Sequence, residues 1–545
     1  MEAPIIPTCK RILLAGAAAL VVAAPAWAAA QPADLAAYLK ARAADADGNA
    51  AVAVASYAVA LEAAPNNPVI ALRAYRAALD AGDDTLTDRA ASVLSRAGAA
   101  PADSGLVALA AAVQVGDARG ADAAIDRLDG TPLAFLTPVL RAWHAYERGD
   151  ADPIAKLTAG NNPIGRRYYA ENRALLLIAT GHTDDGVAAA RALLAPDQGS
   201  FDFRIAAAQL LAAKGNAELG RSLLAGDDPV LSAFRESLGQ GVKAGLAFGA
   251  SRLFDRLASD LSHDDTSPLT VVLARSALRM DPRDDRARLL LAQALEGRDE
   301  TPLALAALDG IDPQGPFAAI ARAARVAVLD DAGEEQKALD AAARLNAGSG
   351  ATAADAQRYG DALIALERYA EAAKAYDQAI QRAGAAADWT LYLQKGGALE
   401  QAGNWPEARA ALAKAVAMAP DEPLALNYLG YAEIEHGGDL AAAQKLLEKA
   451  NALKPGDPAI TDSLGWAYFK RGDAAKALPL FERAVKGQPA DETINEHLGD
   501  AYWKTGRRFE ARYAWRAAAV TAEGADKTRL LAKIENGLGP GPVAN

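Results

Sequence analysis

The sequence predicts an all-α solenoid of about 14 stacked antiparallel helix pairs, arranged as two arms. Three observations favour this fold class. First, 51% of the 545 residues are hydrophobic but only 6% are aromatic, so the apolar residues are mostly Ala and Leu, which build closely spaced helices more readily than strands. Second, glycines recur about every 34 residues between amphipathic stretches. Third, the C-terminal third repeats one set of small and large residues at fixed positions.

The first residues have the order of a secretory signal peptide. Lys10 and Arg11 precede the apolar run 12–24, and a small-x-small triplet ends at Ala28. We expect cleavage there, which makes 1–28 the signal segment. A retained anchor is the alternative, although the run is short and weakly apolar for a membrane span of about 20 residues. The pattern therefore predicts an exported protein, periplasmic if its source is a Gram-negative bacterium.

The spacing of the glycines sets the length of one repeat. The recurring glycines are Gly48, Gly82, Gly116, Gly149, Gly181, Gly215, a weaker pair Gly297 and Gly333, and then Gly403, Gly438, Gly472 and Gly506. Most steps are 32 to 35 residues long, and we expect each step to be two helices around a tight turn. The step from Gly215 to Gly297 is 82 residues, which exceeds two repeats. We assign the excess to a glycine-rich break or hinge between the arms.

These boundaries divide the chain into seven segments. They are a signal peptide at 1–28, a divergent N-terminal arm at 29–224, the break at 225–250, further divergent repeats at 251–350, well-matched repeats at 351–524, a capping helix at 525–538 and a tail at 539–545. The capping helix is expected because the last repeat of a solenoid otherwise leaves its apolar face in water.

Five C-terminal repeats share a specific residue pattern. The repeat that begins at Pro458 supplies Leu464, Gly465, Tyr468, Ala477, Phe481, Ala484 and Pro489. The next repeat supplies Leu498, Gly499, Tyr502, Ala511, Trp515 and Ala518, but has Glu523 where the pattern has Pro. This order of Leu, Gly and Tyr on a first helix and Ala, aromatic, Ala and Pro on a second resembles the tetratricopeptide repeat family. The small residues leave room for the two helices to cross, and the rings fill the remaining gaps.

The resemblance implies a concave groove that is lined by the first helices and binds peptides or protein surfaces. The family's groove positions fall on ten residues of this chain: Asn427, Tyr431, Asp462, Trp466, Phe469, Lys470, Glu496, Asp500, Trp503 and Lys504. In the alternative interpretation, Trp466 and Trp503 only pack between neighbouring helices. The Lys and Asn set with which the family clamps a terminal carboxylate is not reproduced, since Asp462 and Trp466 stand at those positions.

No residue pattern of catalysis occurs in the sequence. The five histidines, at positions 144, 182, 263, 436 and 497, fall in different repeats without the spacing of a zinc helix, so we expect surface or turn residues. The single cysteine, Cys9, lies in the predicted signal segment. The net charge of −12 argues against a general affinity for nucleic acids. We expect no enzymatic activity, no cofactor and no metal site.

The function predicted from the sequence is therefore that of a non-catalytic scaffold or adaptor for protein partners. Long bacterial periplasmic repeat proteins share the order of divergent repeats, a break and strong repeats, and this likeness implies an adaptor for a carboxyl-terminal processing protease. The alternatives are an assembly or secretion-complex factor of the cell envelope and, less favoured, a cell-wall glycan enzyme in the N-terminal half. Peripheral association with a membrane stays open.

Overall fold

The computed structural model describes residues 32–157, 164–194, 201–239, 242–262 and 268–539. Within these ranges it has 29 α-helices, three short 3-10 helices and no β-strand, and helices that are consecutive in the chain pack against each other in pairs. The predicted all-α fold class is thereby confirmed. The predicted signal segment and His263 lie outside the described residues. In the described part, no helix combines the length and hydropathy that crossing a membrane requires.

The chain forms two compact units, the first ending at Ala307 and the second beginning at Leu308. The helices of the first unit are α1 (Pro32–Ala46), α2 (Ala50–Ala63), α3 (Pro68–Ala81), α4 (Asp84–Arg96), α5 (Ser104–Val115), α6 (Ala118–Leu128), α7 (Thr137–Arg148), α8 (Gly165–Ala179), α9 (Thr183–Leu194), α10 (Phe201–Ala213), α11 (Ala217–Leu223), α12 (Pro229–Ser237), α13 (Leu246–Leu261), α14 (Pro268–Met280) and α15 (Asp285–Glu296). Helix α16 (Thr301–Asp309) contains the boundary. The predicted break at 225–250 therefore falls within the first unit, where it holds α12 and the start of α13.

The helices of the second unit form six consecutive pairs and a final single helix. They are α17 (Ala318–Asp331), α18 (Glu335–Asn346), α19 (Ala353–Ala365), α20 (Tyr369–Ala383), α21 (Trp389–Gln401), α22 (Trp405–Met418), α23 (Pro423–Glu435), α24 (Leu440–Leu453), α25 (Pro458–Lys470), α26 (Ala474–Gly487), α27 (Glu492–Lys504), α28 (Arg508–Thr521) and α29 (Gly524–Asn536). The three 3-10 helices are Ala134–Leu136, Ile154–Leu157 and Gly384–Ala386.

The glycine spacing has a backbone cause. Ten of the twelve spaced glycines, such as Gly82 with a φ of 79°, adopt the left-handed conformation that ends the first helix of a pair, where a side chain would be strained. The other two do not. Asp299 takes the left-handed position in place of Gly297, whose φ is −61°, and Gly437 takes it in place of Gly438. A glycine that is near the end of a helix therefore marks the turn only to within a few residues.

In the first unit, the chain returns to cover its own inner face. The first helices of the early pairs, α3, α5, α7 and α10, make up this face, and α13 and α14 pack directly on them. At Gly249 of α13, an added Cβ would lie 2.1 Å from the ring of Trp143 on α7. Trp143 is fully buried, and Phe248 meets its ring edge-on with centroids 5.7 Å apart. Gly249 thus lets α13 lie closer to the ring of Trp143 than a residue with a side chain would allow.

Charged side chains fix α13 to α15 in this position. Arg279 donates two hydrogen bonds to Asp88 of α4, at 2.7 and 2.6 Å. Arg275 donates from Nε to the backbone oxygen of Leu79 at 2.9 Å, at the C-terminal end of α3, where helix carbonyls lack partners. Residues far along the chain therefore fill the inner face of the first unit, whereas all ten predicted groove residues lie in the second unit.

The second unit follows the repeat pattern closely. An added Cβ at Gly465 would lie 2.8 Å from Phe481, and one at Gly499 would lie 2.4 Å from Trp515. These glycines let the two helices of a pair cross over a buried ring, as the sequence predicts. The last helix, α29, packs on α28 and buries Leu530, while its neighbour Leu531 stays half exposed.

Candidate protein-binding groove

We call the surface formed by α19, α21, α23, α25 and α27 the inner face of the second unit. These are the first helices of successive pairs, and α25 packs on both α23 and α27. Each begins at the same point of the repeat, so the fifth and ninth residues of each helix occupy equivalent places. On the last three helices these are Asn427 and Tyr431, Asp462 and Trp466, and Glu496 and Asp500.

Trp466 is a packing residue on this face. Its side chain is 8% exposed and stacks on His497, with centroids 3.8 Å apart, and on Phe469, with centroids 5.2 Å apart. Its Nε1 donates a hydrogen bond to Glu435 Oε1 at 2.6 Å. Lys470 covers its ring, with Nζ 4.7 Å from the centroid. The structure thus places Trp466 between helices, as in the alternative interpretation of the sequence.

His497 and Asp462 form a buried pair beneath that stack. His497 Nδ1 lies 2.8 Å from Asp462 Oδ2, and both side chains are almost fully buried. Among the described residues, the second carboxylate oxygen, Asp462 Oδ1, has no hydrogen-bond partner. His144 in the first unit is also buried, 3.3 Å from Asp122. The expectation of surface histidines is therefore wrong for His497 and His144, because both fill gaps between helices.

The last repeat has its inner face closed by α29. Lys533 Nζ lies 2.6 Å from Glu496 and 2.8 Å from both oxygens of Asp500, and Arg529 also pairs with Glu496. Asp500 further accepts the Nε1 proton of Trp515 at 2.8 Å. Burial lowers the pKa of Lys533, and the carboxylate of Asp500 opposes that shift. Glu496 and Asp500 are thus satisfied within the chain.

The remaining predicted groove residues occupy two environments. Trp503 lies against Trp515, with centroids 5.5 Å apart, and Arg512 lies 5.1 Å from its centroid, so it packs at the C-terminal end of the unit. Lys470 and Lys504 are exposed, while Asn427, Tyr431 and Phe469 are half-buried. The structure brings Tyr431, Trp466 and Phe469 into one aromatic layer around His497 and leaves Trp503 and Lys504 outside it.

Carboxylates surround the hydroxyl of Tyr431. Burial raises the pKa of Tyr431, and the charges of Glu435, Asp462 and Glu400 raise it further. Glu400 lies 3.0 Å from His436 Nε2 and accepts a hydrogen bond from Tyr428 at 3.3 Å. The Oδ1 atom of Asn427 on the same helix is buried, and it too has no partner among the described residues. This part of the face therefore holds more acceptors than donors.

A further carboxylate lies near the start of the face, on α19. Asp361 accepts hydrogen bonds from the Tyr376 hydroxyl at 2.7 Å and from Gln394 Nε2 at 3.2 Å. Surrounding protein raises its pKa to about 6 although the side chain keeps contact with solvent, and the nearby Asp330 raises it further. Among the described residues, no lysine or arginine forms a salt bridge with Asp361.

Sequence reasoning missed Asp361, Glu400 and Glu435. Asp361 is the ninth residue of its helix, equivalent to Tyr431, so the repeat register could have found it. Glu400 and Glu435 lie at the twelfth and thirteenth positions of α21 and α23. Charged residues late in a helix are common on exposed surfaces, so only their position around Tyr431 distinguishes these two.

Comparison with known protein families finds a match to the repeats of this chain. The tetratricopeptide repeat model matches residues 273–319, 358–423, 393–458 and 463–527. These residues form tetratricopeptide repeats, and such repeats indicate a scaffold for protein–protein interaction. Among the described residues, no group of three or more His, Cys, Asp or Glu is arranged to hold a metal ion.

Solved structures similar to this chain include other repeat proteins. A tetratricopeptide repeat protein from Parabacteroides merdae is 13% identical, over 46% of this chain and 99% of that one, with a TM-score of 0.40. Yeast Tom70 is 14% identical, over 92% of this chain and 95% of its own, with a TM-score of 0.35. A thermophilic repeat protein from Thermus thermophilus is 20% identical, over 34% of this chain and 100% of its own, with a TM-score of 0.30. No curated protein matches.

Proposed function

We propose that the protein is an exported, non-catalytic scaffold that binds a segment of a partner protein on the inner face of the second unit. The observation that carries this proposal is the contrast in what covers the two inner faces. In the first unit α13 and α14 cover α3, α5 and α7, whereas in the described part of the second unit α29 pairs with the acids of the last repeat. The stretch around Tyr431 keeps exposed carboxylates beside an aromatic layer, the combination that a protein-binding surface uses.

Photo-crosslinking tests this function directly. A photoactivatable phenylalanine analogue at Tyr431, or at Gln357 of α19, reports on the inner face. The same analogue at Met418, which is exposed on the second helix of a pair, is the matched control. We expect protein adducts from the inner-face positions only, with the captured protein binding again after purification. Equal adducts from Met418, or none from either inner-face position, would contradict the proposal.

The location and the finer role need separate measurements. Export predicts that cell fractionation recovers a chain whose N-terminus begins after Ala28, while a cytoplasmic full-length chain would contradict it. As an adaptor for a carboxyl-terminal processing protease, the scaffold would raise the turnover of that protease's substrate when added to purified components. An unchanged turnover with both partners bound would refute the adaptor role and leave the scaffold role intact.

A further inference from the structure

The inner face of the second unit already contains one bound basic segment, which is its own last helix. Arg529 and Lys533 are one helical turn apart on α29. Arg529 pairs with the carboxylate at the fifth position of α27, Glu496, and Lys533 pairs with those at the fifth and ninth positions. Lys533 Nζ also lies 6.0 Å from the centroid of Trp515, so its charge is held between carboxylates and a ring. This contact shows which chemistry satisfies the acids of the face.

The same kind of site recurs earlier on the face, where the chain supplies less positive charge. Asp462 is the equivalent of Glu496, and Tyr431 on the preceding helix provides the ring. Asp462 is 4% exposed, and its Oδ1 has no hydrogen-bond partner among the described residues. Its partner His497 packs near the Tyr431 ring, with centroids 6.4 Å apart, and the charge of Asp462 raises the pKa of Tyr431 as the charges of Glu435 and Glu400 do.

The positive groups beside this cluster compensate it only in part. Lys470 Nζ lies 3.7 Å from Glu435 and remains exposed, and His436 is the partner of Glu400. His497 takes the other oxygen of Asp462. Farther along the face, Arg358 lies near Asp361 but forms its salt bridge with Asp355, at 3.1 Å. The row from Asp361 through Glu400 and Glu435 to Asp462 therefore keeps an excess of negative charge.

We propose that this row binds a basic segment of a partner protein, whose lysine or arginine side chains contact Glu435, Glu400 and Asp361 and lie against Tyr431. The proposal rests on the proposed function and specifies the charge of the partner. Clustered carboxylates attract a cation, and they reject an acidic segment by like-charge repulsion. The ring of Tyr431 adds a cation–π contact and covers the aliphatic stem of a lysine.

Fluorescence anisotropy with labelled peptides on the full mature chain tests the charge of the partner. The probes are a lysine-rich peptide of about 20 residues, and glutamate-rich and serine-rich peptides of the same length. We expect the lysine-rich peptide to bind at least about tenfold more tightly than either other peptide, and to weaken as salt rises from about 0.1 M to about 1 M. Preference for the glutamate-rich or serine-rich peptide, or equal binding of all three, overturns the proposal.

Neutral isosteres locate the contact on the face. Glu435→Gln, Glu400→Gln and Asp361→Asn each keep one acceptor oxygen and remove the charge, and each should weaken lysine-peptide binding about threefold to fivefold. Glu407→Gln, on an exposed stretch of α22, is the matched control and should bind as the unaltered chain does. Unchanged binding by the triple variant, with a melting temperature no lower than that of the unaltered chain, overturns the proposal. Self-association of the chain that Tyr431→Ala abolishes also overturns it, because the occupant is then a second copy.

The two experiments separate the two proposals. Crosslinks from Tyr431 to a partner, together with a preference for the acidic or neutral peptide, leave the scaffold function standing and refute its charge assignment. Absence of crosslinks from both inner-face positions refutes the scaffold function, whatever the peptides do.

Discussion

Both units are built from the same kind of antiparallel helix pair, but their inner faces differ in what covers them. In the first unit, α13 and α14 return to lie on α3, α5 and α7, so the inner face becomes part of the core. In the described part of the second unit, α29 turns back onto the face and pairs with the acids of α27. The comparison teaches that a repeat pattern determines where a binding face forms but not what occupies it.

The two inner faces differ because α13 and α14 of the first unit carry residues that contact the helices of its inner face. α13 carries Gly249 and Ser251, which permit close approach, and α14 carries Arg275 and Arg279, which bond to the ends of distant helices. The inner face of the second unit presents carboxylates around Tyr431 instead. Helices without matching small or basic residues gain little by returning to such a face.

The largest expected effect is that of replacing Trp466. This substitution tests whether Trp466 packs in the core of the second unit or lines its groove. Trp466→Ala removes a buried ring that stacks on His497 and Phe469, so we expect a loss of about 3–5 kcal/mol in the free energy of unfolding. Chemical denaturation measures it, with Lys486→Ala, on an exposed position of α26, as the control. An unchanged denaturation midpoint would contradict the packing role and favour the groove interpretation of Trp466.

The next effect tests how completely α29 closes its part of the face. Lys533→Met leaves Asp500 and Glu496 buried with less positive charge, and we expect a loss of about 3 kcal/mol. Lys527→Met, on an exposed position of the same helix, is the control. Equal stability of the two variants would mean that water already satisfies these carboxylates.

A smaller effect tests the closed face of the first unit. Gly249→Ala places a Cβ against the ring of Trp143, and the overpacking should cost about 1–3 kcal/mol. Gly239→Ala, where the nearest atom lies 3.8 Å away, is the control. If thermal melting does not distinguish the two variants, α13 does not pack on the inner face as described.

The smallest effect is the pH dependence that Asp361 contributes to the second unit. Its pKa is raised to about 6 in the folded chain, so the folded state holds a proton that the unfolded state has lost between about pH 4 and 6. Stability that depends on this group is therefore present at low pH and is lost as pH rises through 6. Asp361→Asn should melt like the unaltered chain near pH 4 and above it near pH 7.

A constant difference in melting temperature across this pH range would contradict the raised pKa. Asp340→Asn, on the second helix α18, controls for the removal of a surface charge. Partial solvent contact of Asp361 keeps the expected shift small.

The local geometry of the fold could be predicted from the sequence because the turn glycines and the small and aromatic residues of a repeat act on residues nearby in the chain. A glycine at the end of a helix accepts a positive φ, as Gly472 and Gly506 do, and Gly465 marks a crossing with Phe481 only sixteen residues later. The ten groove positions follow from the family's groove positions, which the resemblance places on the repeat register. Register indicates which face of the helix a residue is on, but it cannot tell that α29 covers Glu496 and Asp500.

The sequence by itself therefore determined the helix pairs, their turns and the stacking of the second unit, since these depend on backbone conformation and on neighbouring side chains. Only the tertiary structure decided which inner face stays open, because that depends on contacts such as the one between Arg279 and Asp88, 191 residues apart. Such a contact has no periodic pattern in the sequence. Its strength depends on the burial that the folded chain creates.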